Sequence, residues 1–401
     1  MTISNSKFSA KTQEILELSQ AMIRIPSVTA CPCERLDEVR KAHQLIVDYL
    51  KQAGLVVRSF EGKYPSMLVE FPHADEVRKN SAVMLSGHFD VVAPEPDDSQ
   101  FEPLIEGDYL WGRGSADMKT VVATYMVWFK DVLHAGAPFP QINMMLVGNE
   151  ENGETEPMGT PFVFEQLIAE GYQVPKLFIV GERTEEKGDR IWGQICPKSR
   201  GRAVFRVITH GERAHSGLAG VQTDLVGRLF RAKEGITEII ESDLTLSSSD
   251  GWQSQVRFPF AQIGMEGVYN ITADYGVLGV EVRLIPEDDV ENLRSKIEAY
   301  CEDLGLEVKF EGIEGGVSCD IDNEYLKLHI KSVRQVSGEE PILGKKLPGS
   351  SARFVPGKQA VVWGQSGLGV HAKNERHFIP SIFPYYQALN SFAKMLLNYK
   401  R

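Results

Sequence analysis

Four short apolar runs, bounded by glycine and proline, most strongly constrain how this chain can fold. They lie at residues 82–88, 143–149, 176–181 and 360–364, and stretches with helical apolar spacing, such as 118–135, lie between them. Continuous apolar runs suit strands that are buried on both faces, so their alternation with helices predicts an α/β domain with a largely buried sheet. In such a sheet, functional residues gather beyond the carboxyl ends of the strands.

A second domain is expected because 401 residues exceed the size at which one hydrophobic core usually stops growing. From about residue 200 the pattern becomes strand, helix, strand, strand, helix and strand, at 202–210, 222–242, 258–265, 275–285, 287–304 and 306–313. This order predicts a ferredoxin-like α+β insert at residues 200–314, with residues 1–199 and 315–401 forming the first domain. The Ser-, Asp- and Gly-rich stretch 242–254 is expected to be a mobile loop of the insert.

The acidic balance of the chain narrows the class of partner. A net charge of −12 without an evident lysine or arginine cluster argues against nucleic acid and against an anionic membrane, and favours a small-molecule substrate. Residues 1–22 carry no uninterrupted apolar segment typical of an export signal, and no stretch approaches the length of a membrane span.

The cysteines favour a reducing, cytoplasmic compartment, because their odd number does not suit a disulfide framework. They are Cys31, Cys33, Cys196, Cys301 and Cys319. The spacing of Cys31 and Cys33 is not the usual zinc spacing and no second pair follows, so a plain loop is favoured there over a thiolate metal site.

Polar residues follow the apolar runs at the points where the predicted strands end. In chain order they are His88 and Asp90, Glu150 and Glu151, Glu182, and His371 in a loop after the last run. Two adjacent buried glutamates are unfavourable unless a cation lies beside them. Because side chains alternate faces along a strand, Glu150 and Glu151 are expected to point in different directions.

These residues predict a site for two metal ions. The candidate ligands are His88 and His371 as imidazoles, Asp117 as a bridging carboxylate, and Glu151 and Glu182 as terminal carboxylates. Each motif alone favours a structural role, but their order and their placement after apolar runs are hard to obtain as a solvated surface.

A water molecule activated in such a site needs a proton acceptor. Glu150 lies next to a ligand but points elsewhere, which makes it the candidate general base. Asp90, two residues beyond His88 and on the same face if the strand continues, is expected to orient that imidazole.

The same motifs resemble a known enzyme family over essentially the whole chain. They read Ser-Gly-His-Phe-Asp-Val-Val from Ser86, Gly-Arg-Gly-Ser-Ala-Asp-Met-Lys from Gly112, Glu150-Glu151, and Gly-Glu-Arg-Thr from Gly181, followed by His371. They are similar to the zinc-dependent metallopeptidases and deacylases that include acetylornithine deacetylase, succinyl-diaminopimelate desuccinylase and bacterial glutamate carboxypeptidase. The resemblance implies a zinc-exopeptidase-like catalytic domain with a central mixed sheet flanked by helices, and an inserted lid and dimerisation domain.

The resemblance also implies how the ligands are divided. One metal would be held by His88, Asp117 and Glu182, the other by Asp117, Glu151 and His371, with Glu150 as the base. Two divalent ions are expected, with zinc as the first choice and cobalt or manganese as alternatives.

Residues of the insert acquire expected roles by the same resemblance. His215 would reach the active site of the partner in a homodimer and stabilise the oxyanion. Asn270 and Arg283 would recognise the substrate carboxylate, a task that suits the fork of a guanidinium group. Further substrate contacts are expected at Arg200, Ser350 and Arg353. Arg353 pairing with an acidic residue is the alternative.

The resemblance implies hydrolysis of the amide bond of an N-acyl amino acid. Glu182, in place of the aspartate of aminopeptidase relatives, favours the deacylases and carboxypeptidases of the family. A dipeptidase or carboxypeptidase of the same family is the first alternative. A catalytically silent homologue is the second, and the retention of Glu150 and every ligand argues against it. Departures such as Arg183 in place of proline, and Glu281 in place of the aspartate two residues before Arg283, leave the acyl group and the amino acid open.

Overall fold

The computed structural model describes residues 8–29, 33–95, 99–154, 158–185, 187–218, 224–243 and 251–399. Contacts divide the chain into two compact units. Unit 1 comprises Met1–Lys198, Ser318–Lys346 and Ser350–Arg401, and unit 2 comprises Ser199–Val317 and Leu347–Gly349. Cys31 and most of the loop predicted at 242–254 lie outside the described residues, whereas Cys33 is an exposed free cysteine.

The described residues form nine helices and sixteen strands, apart from short 3-10 and π turns. The helices are α1 (Ala10–Ile23), α2 (Leu36–Ala53), α3 (Asp75–Lys79), α4 (Thr120–Ala135), α5 (Gly159–Ala169), α6 (Leu225–Asp243), α7 (Val290–Asp303), α8 (Glu324–Ser337) and α9 (Ile382–Asn398). The strands are β1 (Val56–Phe60), β2 (Ser66–Glu70), β3 (Val83–His88), β4 (Leu104–Glu106), β5 (Tyr109–Trp111), β6 (Ile142–Val147), β7 (Leu177–Val180), β8 (Ile195–His210), β9 (Gln255–Ile263), β10 (Tyr275–Leu284), β11 (Glu307–Glu314), β12 (Val317–Ser318), β13 (Leu343–Gly349), β14 (Ala360–Val362), β15 (Gly367–Leu368) and β16 (Arg376–Phe378).

Unit 1 is built on a mixed sheet in the order β1-β2-β6-β3-β7-β14. β3 runs parallel to both β6 and β7, and β14 runs parallel to β7, whereas β1 and β2 are antiparallel to their neighbours. The central strands β3, β6 and β7 are buried along their whole length, as continuous apolar runs require. This arrangement confirms the predicted α/β class and the central mixed sheet.

The core of unit 1 is aromatic and aliphatic, and α4 lies within it. Every residue of α4 from Thr120 to Phe129 is buried. Phe129 stacks on Phe71 with ring centroids 4.8 Å apart, and Trp128 meets the same ring edge-on. A smaller antiparallel sheet, in the order β15-β16-β5-β4, completes the unit.

Unit 2 contains an antiparallel sheet in the order β9-β10-β8-β11, to which β8 contributes its residues from Ser199 onward. With α6 after β8 and α7 after β10, the element and strand orders are those of a ferredoxin-like fold, as predicted. Its core includes Phe205, Ile236 and Ile297, all completely buried. Within the described part of the chain, no helix is long and apolar enough to cross a membrane.

Candidate active site

His88 is the last residue of β3 and is paired in register with Val147, the last residue of the parallel strand β6. The imidazole is buried, with Nδ1 3.1 Å from the backbone oxygen of Asp90 and Nε2 3.1 Å from Oδ1 of Asp117. Burial opposes a charge on this ring, but hydrogen bonds with Asp117 and Asp90 outweigh it and raise the pKa of His88 well above its ordinary value.

Asp117 lies between two imidazoles. It belongs to the turn Ser115–Lys119 that leads into α4, and its backbone there is not helical. Its Oδ1 is 3.1 Å from Nε2 of His88, and its Oδ2 is 3.7 Å from Nε2 of His371. Burial alone would raise the pKa of Asp117, but the hydrogen bond and charge of His88 lower it, with help from Lys346 and His371. Each carboxylate oxygen therefore faces a different histidine.

His371 comes from the loop between β15 and β16, and its side chain is half exposed. Its Nε2 forms a hydrogen bond of 3.2 Å with Oε1 of Glu151, and this bond raises the pKa of His371 to about 9 against the opposing effect of burial. One potential ligand atom from each of His88, Asp117 and Glu151 lies within 4.8 Å of the others. Residues separated by more than 280 positions thus converge at one edge of the sheet.

Glu182 follows β7 and is buried. Gly181 precedes it at a point where a Cβ atom would lie 2.5 Å from Oη of Tyr125, so β7 can approach α4 only with glycine there. Burial raises the pKa of Glu182 to about 7, and the charge of Asp117 adds to this shift. The ammonium group of Lys346, 3.7 Å from Oε2 of Glu182, acts in the opposite direction.

Glu150 and Glu151 do not continue a strand, so the prediction that they lie on alternating faces of a strand is wrong. β6 ends at Val147, and the chain turns so that Glu150–Asn152 forms one turn of 3-10 helix. The backbone N–H groups of Glu150 and Glu151 donate to Oδ1 and Oδ2 of Asp90 at 3.1 and 3.0 Å. The turn, not the pleat of a strand, therefore sets the directions of the two carboxylates.

Asp90 consequently supports the glutamate turn as well as His88. Its Oδ1 is 3.4 Å from Nδ1 of His88, and its Oδ2 accepts a hydrogen bond of 2.7 Å from Thr29. The prediction placed Asp90 on the same face as His88 if the strand continued, but β3 ends at His88. The bend that follows brings both the backbone oxygen and the carboxylate of Asp90 to the imidazole.

Glu150 lies in a strongly acidic environment. Burial raises its pKa to about 8, and the charge of Glu182 adds to the effect. Arg353, whose Nη1 is 3.9 Å from Oε1 of Glu150, partly offsets the shift. The pKa of Glu151 is also raised to about 8, by burial and by the charge of Asp117.

This crowding of carboxylates fits divalent metal ions. Imidazole nitrogens and carboxylate oxygens are the donors that zinc and related ions take, and a buried cluster of like charges needs cations beside it. The candidate ligands His88, Asp117, Glu151, Glu182 and His371 all belong to unit 1.

Arg353 and Ser350 are both buried, and Arg353 lies near Glu150. Nη2 of Arg353 is 4.0 Å from Oε2 of Glu154, so this guanidinium contacts two glutamates, as the alternative to a substrate contact anticipated. Oγ of Ser350 accepts a hydrogen bond of 3.4 Å from the backbone of Ala352 and caps the short helix that carries Arg353.

The predicted residues of unit 2 form two groups. His215 is exposed and forms a β-bridge with Ile271, while Ser216 N–H donates to the backbone oxygen of Asn270 at 3.0 Å, so His215 and Asn270 are neighbours. Nη2 of Arg283 is 2.8 Å from Oε1 of Glu281.

Arg200 belongs to the second group of unit 2. It is buried, donates to the backbone oxygen of Arg283 at 2.9 Å, and lies over the ring of Trp252. Its guanidinium therefore packs inside the unit, next to the backbone that carries Arg283.

A buried ion pair that no sequence motif indicated supports Asp117. Nη1 of Arg113 is 2.6 Å from Oε2 of Glu375, and Oε1 of Glu375 accepts from the backbone N–H groups of Ala116 and Asp117. Nη2 of Arg113 also lies 3.5 Å from the oxygen of Ala372, next to His371. The signal available in the sequence was weak: Glu375 follows a candidate ligand by four residues.

Comparison with known proteins places this site in a family. The model of Peptidase family M20/M25/M40 matches residues 84–395. A succinyl-diaminopimelate desuccinylase of Bordetella petrii is 26% identical over 381 residues, which cover 92% of this chain and 94% of that protein. The protein of the same name from Maricaulis maris is 30% identical over 250 residues, 59% of this chain and 60% of its own length.

Solved structures share the fold. A metallo-carboxypeptidase of the M20 family from Sulfolobus solfataricus has a TM-score of 0.73 at 17% identity, covering 98% of this chain and 100% of that one. The dipeptidase Dug1p from Saccharomyces cerevisiae has a TM-score of 0.72 at 15% identity, covering 98% of both chains. The chain therefore belongs to peptidase family M20/M25/M40 and, with its cluster of imidazoles and carboxylates, is a metal-dependent hydrolase of amide bonds.

Proposed function

We propose that the protein hydrolyses the amide bond of an N-acyl amino acid, with two zinc ions as its metals. The observation that carries the proposal is the position of Asp117, whose two oxygens face His88 and His371. A carboxylate placed in this way can bridge two ions. The similarity to succinyl-diaminopimelate desuccinylases supports a substrate with an acyl group on an amine.

In this proposal, the ligands are divided between two ions that share Asp117. One ion would be held by His88, Asp117 and Glu182, and the other by Asp117, Glu151 and His371. When bound, the two ions would lower the pKa of a water molecule and polarise the scissile carbonyl group.

Glu150 is the proposed general base. It is buried next to Glu151 but has a different neighbour, Arg353, which lies 3.9 Å from its Oε1. Glu150 would accept a proton from the attacking water and deliver it to the leaving nitrogen as the carbon–nitrogen bond breaks. The products are then a carboxylic acid and a free amine, and no other proton donor is required.

Residues of unit 2 would complete substrate recognition. We assign His215 to stabilisation of the oxyanion in the partner subunit of a homodimer, and Asn270 and Arg283 to the substrate carboxylate. The exposed positions of His215 and Asn270 leave both side chains accessible. Arg283 contacts Glu281, so it would exchange this partner for a substrate carboxylate.

The test is amide hydrolysis by metal-depleted and zinc-reloaded protein on N-succinyl, N-acetyl and N-formyl amino acids, with dipeptides as the competing class. We expect turnover of an N-acyl amino acid that depends on metal, and a fall in kcat of about 100-fold or more in Glu150→Gln with zinc still bound. Glu165→Gln, which alters an exposed glutamate of α5, is the matched control and should retain full activity.

Two results would contradict the proposal. Turnover of dipeptides alone would assign the protein to the peptidases of its family instead. Retention of most of the activity in Glu150→Gln would remove Glu150 from the role of base and leave the metal site to be tested by zinc content.

A further inference from the structure

Lys346 places a buried ammonium group next to one of the two terminal carboxylates. Its side chain is only 5% exposed, and its Nζ lies 3.7 Å from Oε2 of Glu182. A hydrogen bond of 2.7 Å from Nζ to the backbone oxygen of Arg183 fixes the ammonium at this position. The cation is therefore a fixed part of the site and not a mobile surface charge.

The other terminal carboxylate has a different environment. Glu151 contacts the imidazole of His371, and no lysine or arginine pairs with it among the described residues. Arg353, the nearby guanidinium, contacts Glu150 and Glu154 instead. The fixed positive charge thus lies on the Glu182 side of the cluster.

A fixed cation has opposite effects before and after a metal binds. In the metal-free protein, Lys346 attracts Glu182 and reduces repulsion among the crowded carboxylates. A divalent ion bound to Glu182 would be repelled by the same ammonium. The ion and the ammonium would also compete for the oxygens of one carboxylate. Burial strengthens both effects because solvent screens them weakly.

We propose that Lys346 is a positioning residue that makes the two metal positions unequal, weakening the one that includes Glu182 and stabilising the metal-free site. The position formed with Glu151 and His371 then fills first, and the position formed with Glu182 fills second and loses its ion first. This inference rests on the metal site proposed above.

The experiment measures metal binding and stability without using activity. Zinc is titrated by equilibrium dialysis into metal-free wild type and Lys346→Met, and Tm is recorded for both proteins with and without zinc. We expect one tight and one weaker ion in the wild type. In Lys346→Met, the weaker ion should bind about 10-fold more tightly, because substitutions of residues that contact metal ligands change metal affinity by about this factor. The metal-free variant should have a lower Tm and a larger rise in Tm on zinc binding.

Two further variants isolate the charge. Lys346→Arg keeps the positive charge and should retain unequal binding. Lys345→Met removes a lysine from the neighbouring position of β13, on the other face of the strand, and should leave both affinities unchanged.

Each other outcome overturns the inference. Equal affinities in the wild type, or an unchanged or weaker second ion in Lys346→Met, would remove Lys346 from this role. A fall in Tm of the same size with and without zinc would mark Lys346 as merely structural. A wild type that binds no zinc would overturn the metal site itself, which distinguishes that failure from failure of the inference alone.

Discussion

The buried pair of Arg113 and Glu375 supports the central ligand without contacting a substrate. Glu375 accepts hydrogen bonds from the backbone at Asp117, while Arg113 reaches the loop of His371. Removing one member of a buried ion pair leaves the other charge unpaired, which is more damaging than removing both. The pair therefore joins two distant parts of the ligand set through the backbone.

Replacing Glu375 with Gln should lower the free energy of unfolding by about 3 kcal/mol, because the Arg113 guanidinium would remain buried without a counter-charge. Urea denaturation of the metal-free protein measures the change. Adding Arg113→Met to the Gln variant should restore part of the loss. No recovery in the double variant would show that the pair acts through the backbone contacts alone.

His329 gives the protein a defined sensitivity to acid. Burial lowers its pKa to about 3, and the ring packs against Trp363 with no hydrogen-bond partner for either nitrogen among the described residues. The pKa of His329 in the folded protein lies below its unfolded value of about 6.5. The contribution of the neutral, buried imidazole to the free energy of unfolding is therefore complete above pH 6.5 and is lost as the pH falls towards 3. At pH 5 the loss should be about 2 kcal/mol.

The variant His329→Phe tests this expectation, since it cannot take up the proton on unfolding. Its free energy of unfolding should fall less between pH 7.5 and pH 5 than that of the wild type, by about 2 kcal/mol. The matched control, His134→Phe, makes the same substitution at an exposed position of α4. Parallel pH profiles for wild type and His329→Phe would refute the assignment.

At the scale of elements, the apolar runs predicted the strands well and their ends poorly. The run 143–149 overlaps β6, but the strand ends at Val147, and Asp90 accepts hydrogen bonds from the backbone N–H groups of the turn that follows, at Glu150 and Glu151. The position of a buried strand follows from local apolarity, which a sequence shows. A turn held by a side chain 60 residues away depends on tertiary contacts, which a single sequence does not show.

The candidate site shows the same limit: residues placed by tertiary contacts cannot be identified from a single sequence. Four of its five ligand residues could be selected from the sequence because they follow apolar runs, and Asp117 could be selected because its motif resembles that of the family. The pair of Arg113 and Glu375 and the ammonium of Lys346 could not, since an isolated charged residue carries no pattern. Only the packing of β13 and of the His371 loop gives those charges a partner.

The contact of β7 with α4 depends on Gly181. A methyl group there would lie 2.5 Å from Oη of Tyr125 and 2.8 Å from both Met118 and Val121. Gly181→Ala should therefore lower the free energy of unfolding by about 1–3 kcal/mol through overpacking. Thermal unfolding measures it, and Tyr125→Phe in the same chain should recover part of the loss by removing the hydroxyl. A stable, fully active Gly181→Ala protein would show that the strand can shift away from the helix.

On the scale of the whole molecule, every candidate ligand belongs to unit 1. At a zinc concentration 100 times the dissociation constant of the tighter ion, that ion alone should stabilise the folded protein by about 2.7 kcal/mol. Hydrogen exchange should show the added protection in β3, β6 and β7 and none in α6 and α7. Equal protection of both units would mean that metal binding and the folding of unit 2 are coupled.

The position of His371 in the chain has a consequence for synthesis. The other four candidate ligands lie within residues 88–182, and the whole of unit 2 is encoded before the last imidazole appears. A ribosome must therefore translate the whole of unit 2 and continue to residue 371 before the ligand set can close. Until then the nascent chain carries acidic side chains at the ends of its strands without their last partner, so the ion proposed to bind Glu151 and His371 could be captured only after translation has passed residue 371.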